Sequence, residues 1–185
     1  MVFKSSRKPT DTRGEVFGMC ARAVEPVNDI EFVDPGVLVD GDFELRLIET
    51  TPADHVRGFD PAYRFAIVES ATGVVMGGIS LRVGHTEHLT LYRGHIGFGV
   101  EEPFRGNRLA LRSCRLLAGL ARHHSLDPVW LTCDEGNLAS QRTLEALGAE
   151  FVETRRMPAD YPYVEHYPPE SRTKRRYRWM LTAAD

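Results

Sequence analysis

"EEPFRGNRLALRSC", residues 101–114, follows directly on a glycine-bearing strand pattern, "HIGFGV" (95–100), and opens a helix. A helix begun on an Arg-Gly-Asn-Arg corner turns its first backbone N–H groups, which lack intrahelical partners, toward whatever lies in front of it. The helix dipole adds partial positive charge at the same place. Gly106 lets the corner turn tightly and removes a side chain that would hold an anion away, and Arg105 adds a permanent, forked cation. Strand, tight loop and helix in this order make an anion site. One dipole–anion contact contributes only ~0.3–1 kcal/mol, so several N–H groups must converge for useful affinity. The phosphate loop of nucleotidases is excluded because its Gly-Lys-Ser/Thr ending is absent. A dinucleotide fingerprint is excluded because no Gly-x-Gly-x-x-Gly opens the helix. A plain strand-to-helix turn with a solvated Arg105 fits the same residues.

Outward from the corner, the hydrophobic periodicity orders the chain. Upstream, "FELRLIE" from residue 43 alternates, with Phe43, Leu45, Leu47 and Glu49 on one side. "AYRFAIVES" and "VVMGGISLRV" read as two strands joined by the short turn "ATG". In "HIGFGV", Gly97 and Gly99 share one face and let another group approach the backbone. Downstream, Asn107 to Ser125 is helical: Ala110, Cys114, Leu117, Ala121 and His124 step along one face, and Arg108, Arg112, Arg115 and Arg122 share much of the other. "PVWLTC" reads as a buried strand and "NLASQRTLEALGA" as a second helix stopped by Gly148. "EFVETRR" and "RRYRWML" close the chain as strands around a long loop, "MPADYPYVEHYPPESRT". The order predicts a mixed α/β (α+β) fold. Residues 1–40, without sustained period, read as a flexible start and an extended arm, and residues 41–185 as the domain.

Bulk properties narrow the class. The 185 residues carry 42% hydrophobic and 26% charged side chains, enough for one domain with a real core. Twenty-three Lys and Arg against 26 Asp and Glu give a net charge of −3, which argues against a chain built to hold nucleic acid. Nothing approaches the ~18 apolar residues of a membrane span. Three cysteines, Cys20, Cys114 and Cys133, form no metal spacing and suit a reducing, cytoplasmic setting.

The corner, the helix behind it and "VWLTCDEGNLASQRTLEALGAEFVE" together resemble the GNAT superfamily of acetyl-CoA-dependent N-acyltransferases, over roughly residues 43–155. The resemblance implies a mostly antiparallel sheet flanked by helices and acetyl-CoA as cosubstrate. It implies pyrophosphate contacts from the family's Arg/Gln-x-x-Gly-x-Gly/Ala loop, here Arg105, Gly106, Asn107, Arg108, Leu109 and Ala110. It also implies a thioester held by the strand at Phe98, Gly99 and Val100, and a further contact at Asn137, with Ser140 beside it. Three departures stand out. Arg108 occupies the loop's middle glycine position, where a place in the first helical turn would give it an ordinary φ near −60°. Leu144 stands where many relatives have a proton-donating tyrosine. Only residues 50–61 separate the first two strands, so the helical region there is shortened.

An alkyl ammonium must lose a proton before it attacks a thioester, so the site needs a base. His95, Asp134 and Tyr92 are the candidates, with Glu101 near by. A hydrogen-bonded strand histidine fits His95 as well. No metal site is expected: "HTEH" (85–88) matches no zinc spacing and reads as solvated histidines. In "RTKRRYR", Arg176 and Arg178 face out in strand alternation. Tyr161, Tyr163 and Tyr167, with Asp160, Glu165 and Glu170, make the long loop suited to a cationic amine. The expected partner is a small-molecule or peptide amine, and the carboxyl-terminal strand, read as an edge, could pair across a homodimer. The expected function is N-acetyl transfer by direct attack of the amine on the thioester. The alternative is an acyl-CoA-binding sensor of the same fold without turnover.

Overall fold

The structure, a computed structural model, describes residues 27–182; Cys20 and the expected flexible start up to residue 26 lie outside the described residues. Five antiparallel strands form the first sheet in chain order: β1 (Val39–Asp40), β2 (Phe43–Thr51), β3 (Ala62–Glu69), β4 (Val75–Arg82) and β5 (Ile96–Val100). Three helices follow, α1 (Leu109–Leu116), α2 (Ala118–His123) and, after β6 (Val129–Asp134), α3 (Leu138–Ala146). β6, β7 (Glu150–Arg156) and β8 (Thr173–Trp179) make a second sheet in the order β6-β8-β7. The carboxyl-terminal strand is therefore central, and the edge expected of it belongs to β7. The eleven-residue spacing from Thr51 to Ala62 holds turns and a bridge between Asp54 and Phe59, with no helix.

Helix periodicity places the core. Ala110, Cys114, Leu117 and Ala121 are buried, the last three in one core with Phe43, Phe65, Leu81, Leu131 and Trp179. The expected single helix is two, joined at Leu117. On the opposite face Arg112 is not solvated: its Nε donates to Asp40 Oδ2 at 2.8 Å, its Nη2 to Asp42 Oδ1 at 3.0 Å, and its guanidinium lies over Phe43. In β2 the buried alternation stops after Leu45: Leu47 is exposed although its register is unbroken, and a bulge between Leu47 and Glu49 shifts the residues beyond it.

A second, smaller cluster lies under the long loop: Tyr92, Met157, Tyr161, Tyr163 and Val164, flanked by Phe59 and Tyr167. It covers the face of the second sheet that strand alternation alone assigns to solvent. Arg176 is consequently buried, donating to Glu153 and to the Thr90 carbonyl and stacking on Trp130, and only Arg178 faces out. His88, expected solvated, is buried against Tyr163 with ring centroids 4.1 Å apart, following which Leu89–Arg93 form a single wide helical turn.

Two glycines, Gly77 in β4 and Gly119 in α2, differ in environment. A Cβ on Gly77 would sit 2.3 Å from the Gly99 carbonyl oxygen and 3.0 Å from Val100 Cα, both backbone atoms that cannot swing aside. Gly119 in α2 has nothing within 4 Å of the same position. Gly77→Ala is expected to cost about 1–3 kcal/mol by forcing β4 and β5 apart. Gly119→Ala, in a helix interior, is expected to add about 0.5–1 kcal/mol. Urea midpoints of the two variants, moving in opposite directions, check the pair.

Candidate active site

The two sheets meet at one residue pair. His95 donates its N–H to the Trp130 carbonyl at 2.7 Å, and Trp130 returns its own N–H to His95 Nδ1 at 2.8 Å. The other ring nitrogen, Nε2, donates to the Gly84 carbonyl at 3.0 Å, and the His95 carbonyl accepts from Arg82 N–H. Carboxyl-terminal of this joint the strands diverge, and Ile96–Phe98 on one side and Thr132–Asp134 on the other line a cavity of about 450 Å³. That volume accommodates a small ligand. Phe59, Arg82, His88, Tyr92, Arg93, Asn137, Ser140, His166, Tyr167 and Lys174 complete the wall.

The geometry removes His95 from the candidate bases. The ring is fully buried and both nitrogens are bonded, so it has no lone pair for an acceptor's proton. Burial pushes the imidazole down to about 4 against the opposing Gly84 carbonyl, which keeps the neutral, Nε2-protonated tautomer. Tyr92 lines the cavity, but its ring is buried, packed 4.6 Å from Tyr161. Asp134 also lines the cavity; one carboxylate oxygen receives Lys174 Nζ and the other Ser171 Oγ at 2.8 Å. Its two oxygens are thus already engaged by donors.

The corner keeps its backbone donors open. Among the described residues, the N–H groups of Gly106, Asn107, Arg108 and Leu109 donate to no backbone carbonyl. Gly106 has φ +87° and Arg108 φ +56°, both left-handed, so Arg108 caps the helix instead of entering its first turn. A left-handed non-glycine residue costs roughly 1–2 kcal/mol, and it falls where the motif otherwise has glycine. Such alternation curls successive N–H groups into a concave anion cradle, a shape that fits a diphosphate. Arg105 is folded back, its Nε donating to the Val100 carbonyl at 3.0 Å, and Asn107 Nδ2 donates to the Phe104 carbonyl. Leu109 and Ala110 are buried, so only their backbone can meet a ligand.

At the start of α3, Asn137 Oδ1 accepts the Ser140 N–H at 3.0 Å as a helix cap, and both residues line the cavity. Phe98 and Val100 lean on the core while Gly99 is exposed, and Leu144 is core. Cavity residues that sequence reading passed over are Phe59, Arg82, Arg93, Thr132, His166 and Lys174. They come from six segments, and no local motif marks them. Among the described residues, no group of three or more His, Cys, Asp or Glu side chains could hold a metal ion, and no helix is long and apolar enough to cross a membrane.

His95 and His88 carry a pH signature. Both imidazoles are pushed down by burial, to about 4 and about 3, from an ordinary 6.5. The folded state holds them neutral while the unfolded chain protonates them, so stability is full above pH 6.5 and falls toward pH 4. At about 1.4 kcal/mol per pKa unit, His95 alone accounts for roughly 3 kcal/mol across that window. His95→Gln is expected to be less stable at pH 7 yet to show a shallower fall; urea midpoints at pH 7, 5 and 4 measure it.

Comparison with known proteins agrees with this architecture. A family model described as an acetyltransferase (GNAT) domain matches residues 36–150. RimL, a ribosomal L7/L12 alpha-N-protein acetyltransferase, superposes with a TM-score of 0.55 at 16% identity, over 80% of this chain and 99% of its own. RimL in complex with coenzyme A gives 0.56 at 14% identity, over 78% and 98% of the two chains. The ribosomal-protein-S5-alanine acetyltransferase of Vibrio fischeri gives 0.56 at 12% identity, over 80% and 98%. No curated protein matches at the level of sequence. With more than half its length matched by the family model, and with the splayed strands and the N–H cradle in place, the chain belongs to the GNAT acetyltransferase family, whose cosubstrate is acetyl-CoA.

Proposed function

We propose that the protein transfers an acetyl group from acetyl-CoA to an amine acceptor by direct attack on the thioester, in the cytoplasm. The observation that carries this reading is the cavity between β5 and β6, which begins at the His95–Trp130 joint, taken with the open N–H groups of residues 106–109 that follow β5 in the chain. The cosubstrate supplies the activated acyl group. In this reading the cradle of Arg105, Gly106, Asn107, Arg108, Leu109 and Ala110 holds its diphosphate. On β5, the first sheet's edge strand, the register turns the N–H groups of Phe98 and Val100 away from β4, where they can meet the thioester carbonyl, and Gly99 between them faces β4. Asn137 and Ser140 flank the same strand gap.

Deprotonating an amine of ordinary pKa ~10.4 at pH 7 costs roughly 4.6 kcal/mol. His166 has an exposed ring on the cavity wall, and an imidazole so placed serves as general base. Tyr167 presents a phenol in the same wall, its pKa raised by burial, and takes the role of acid toward the departing thiolate in place of the tyrosine that Leu144 lacks. No covalent acyl-enzyme is invoked: burial pushes the Cys133 thiol up to about 11, so no thiolate forms. The buried free thiols of Cys114 and Cys133 suit a reducing compartment.

Calorimetric titration with acetyl-CoA tests the coenzyme assignment. The wild type is expected to bind, and Gly106→Trp, which puts a bulky side chain on a residue at φ +87°, is expected to lose binding. Binding without transfer to any amine would select the sensor alternative. His166→Gln is expected to lower kcat by about 10²-fold with the acetyl-CoA KM unchanged, measured by thiol release at saturating acceptor.

A further inference from the structure

The cavity wall carries positive charge, the reverse of what the tyrosines and acids of the long loop suggest. Glu165 points away toward Arg172, Asp160 and Glu170 are exposed, and none of the three lines the cavity. Lys174 and Asp134 neutralise each other there. Arg82 and Arg93 remain. Among the described residues, neither has a carboxylate within ion-pair distance: Arg82 donates to the Gly94 carbonyl at 3.0 Å, and Arg93 lies over the Phe59 ring at 4.6 Å. Asp60, a carboxyl that acts on both at a distance, is buried and receives Thr86 Oγ1. Burial and the repulsion of Arg93 push the Arg82 guanidinium down to about 10, which leaves it charged at neutral pH. Two like charges held in one half-buried wall, with no carboxylate in ion-pair contact, are a receptor for an anion.

Position gives the ligand's size. A Cβ on Gly97 would lie 2.7 Å from Arg82 Nη2 and 3.1 Å from Nη1, so the guanidinium rests in the space that Gly97 leaves open. Gly97 precedes Phe98, the first strand residue assigned to the thioester, by one strand step of about 3.3 Å. An anion on Arg82 is therefore only a few bonds from an amine that attacks there. We propose that the acceptor is a small amine bearing a carboxylate, phosphonate or phosphate within a few bonds of its nitrogen, clamped by Arg82 and Arg93. This rests on the N-acetyltransferase reading and adds the acceptor class to it.

The test pairs binding with turnover on the intact protein loaded with coenzyme. By calorimetry, N-acetylglycine and N-acetylaminomethylphosphonate are expected to bind at least about tenfold tighter than N-acetylglycinamide, the effect of one charge-assisted clamp. The stronger of the two anions identifies carboxylate or phosphonate as the preferred group. Arg82→Gln and Arg93→Gln are each expected to bring the ratio near one, and either suffices should the other fail to fold. In turnover with glycine, aminomethylphosphonate and glycinamide as acceptors, both variants are expected to raise the KM of the anionic amines by more than kcat falls. Equal binding of the anion and its amide overturns the proposal. So does a uniform fall in kcat on all three amines with their ranking kept, because Arg82 would then be acting on the reaction centre. Glycinamide acetylated as well as glycine sinks the anion clamp and leaves the transferase standing. Tight binding of the acetylated anions without transfer to any amine supports the clamp and removes the transferase.

Discussion

Everything in this molecule that concerns chemistry depends on the pair His95 and Trp130. Two sheets that would otherwise continue as one are joined by the exchange of two short hydrogen bonds, one of them to a side chain instead of a carbonyl. Because the imidazole stands in for a backbone acceptor, the ladder cannot propagate, and β5 and β6 part beyond it. The cost is a buried imidazole that must stay neutral, which Gly84 makes tolerable by accepting its remaining proton. A residue that looks like a base is thus the reason a cavity exists at all.

The wall opposite the splay is built from parts distant in sequence. The turn at Leu89–Arg93 brings Tyr92 and Arg93, the long loop brings His166 and Tyr167, and β8 brings Lys174. The loop's tyrosines divide by depth: Tyr161 and Tyr163 are spent on burying the outer face of the second sheet, and Tyr167 reaches the cavity, where Lys174 stacks on it. Burial of that face also converts Arg176 from a surface charge into an anchor between Glu153, Trp130 and the Thr90 carbonyl. Packing and site construction are therefore the same event here. The loop that completes the second core also supplies the cavity's only exposed imidazole among the described residues.

The corner at 105–110 shows a different balance. Its free N–H groups need the left-handed turns at Gly106 and Arg108, and only the first comes without steric cost. Keeping an arginine at φ +56° means that the helix behind it, pinned by Leu109, Cys114 and Leu117 in the core, dictates the local backbone. A strained but fixed cradle is compatible with anion binding, since its donors are already oriented before a ligand arrives.

By itself the sequence determined the strand and helix order, the buried face of the first helix and the anion-ready corner, because each follows from local periodicity or from a few adjacent residues. It also carried the family, through the corner and the Asn137 loop read together. It misassigned residues whose environment is made by distant segments. His95, His88 and Arg176 have the composition of exposed or reactive groups, and only the packing of the Leu89–Arg93 turn and the long loop buries them. The left-handed Arg108 was hidden for the same reason, since a residue type does not reveal a φ imposed by the core behind it. The two guanidiniums of the cavity wall without an ion-pair partner were the least legible, because Arg82 and Arg93 come together only where β4, β5 and the turn between them fold onto β6. Charge pairing is a property of three-dimensional neighbours, and the tertiary structure alone decided which of the chain's arginines were left without one.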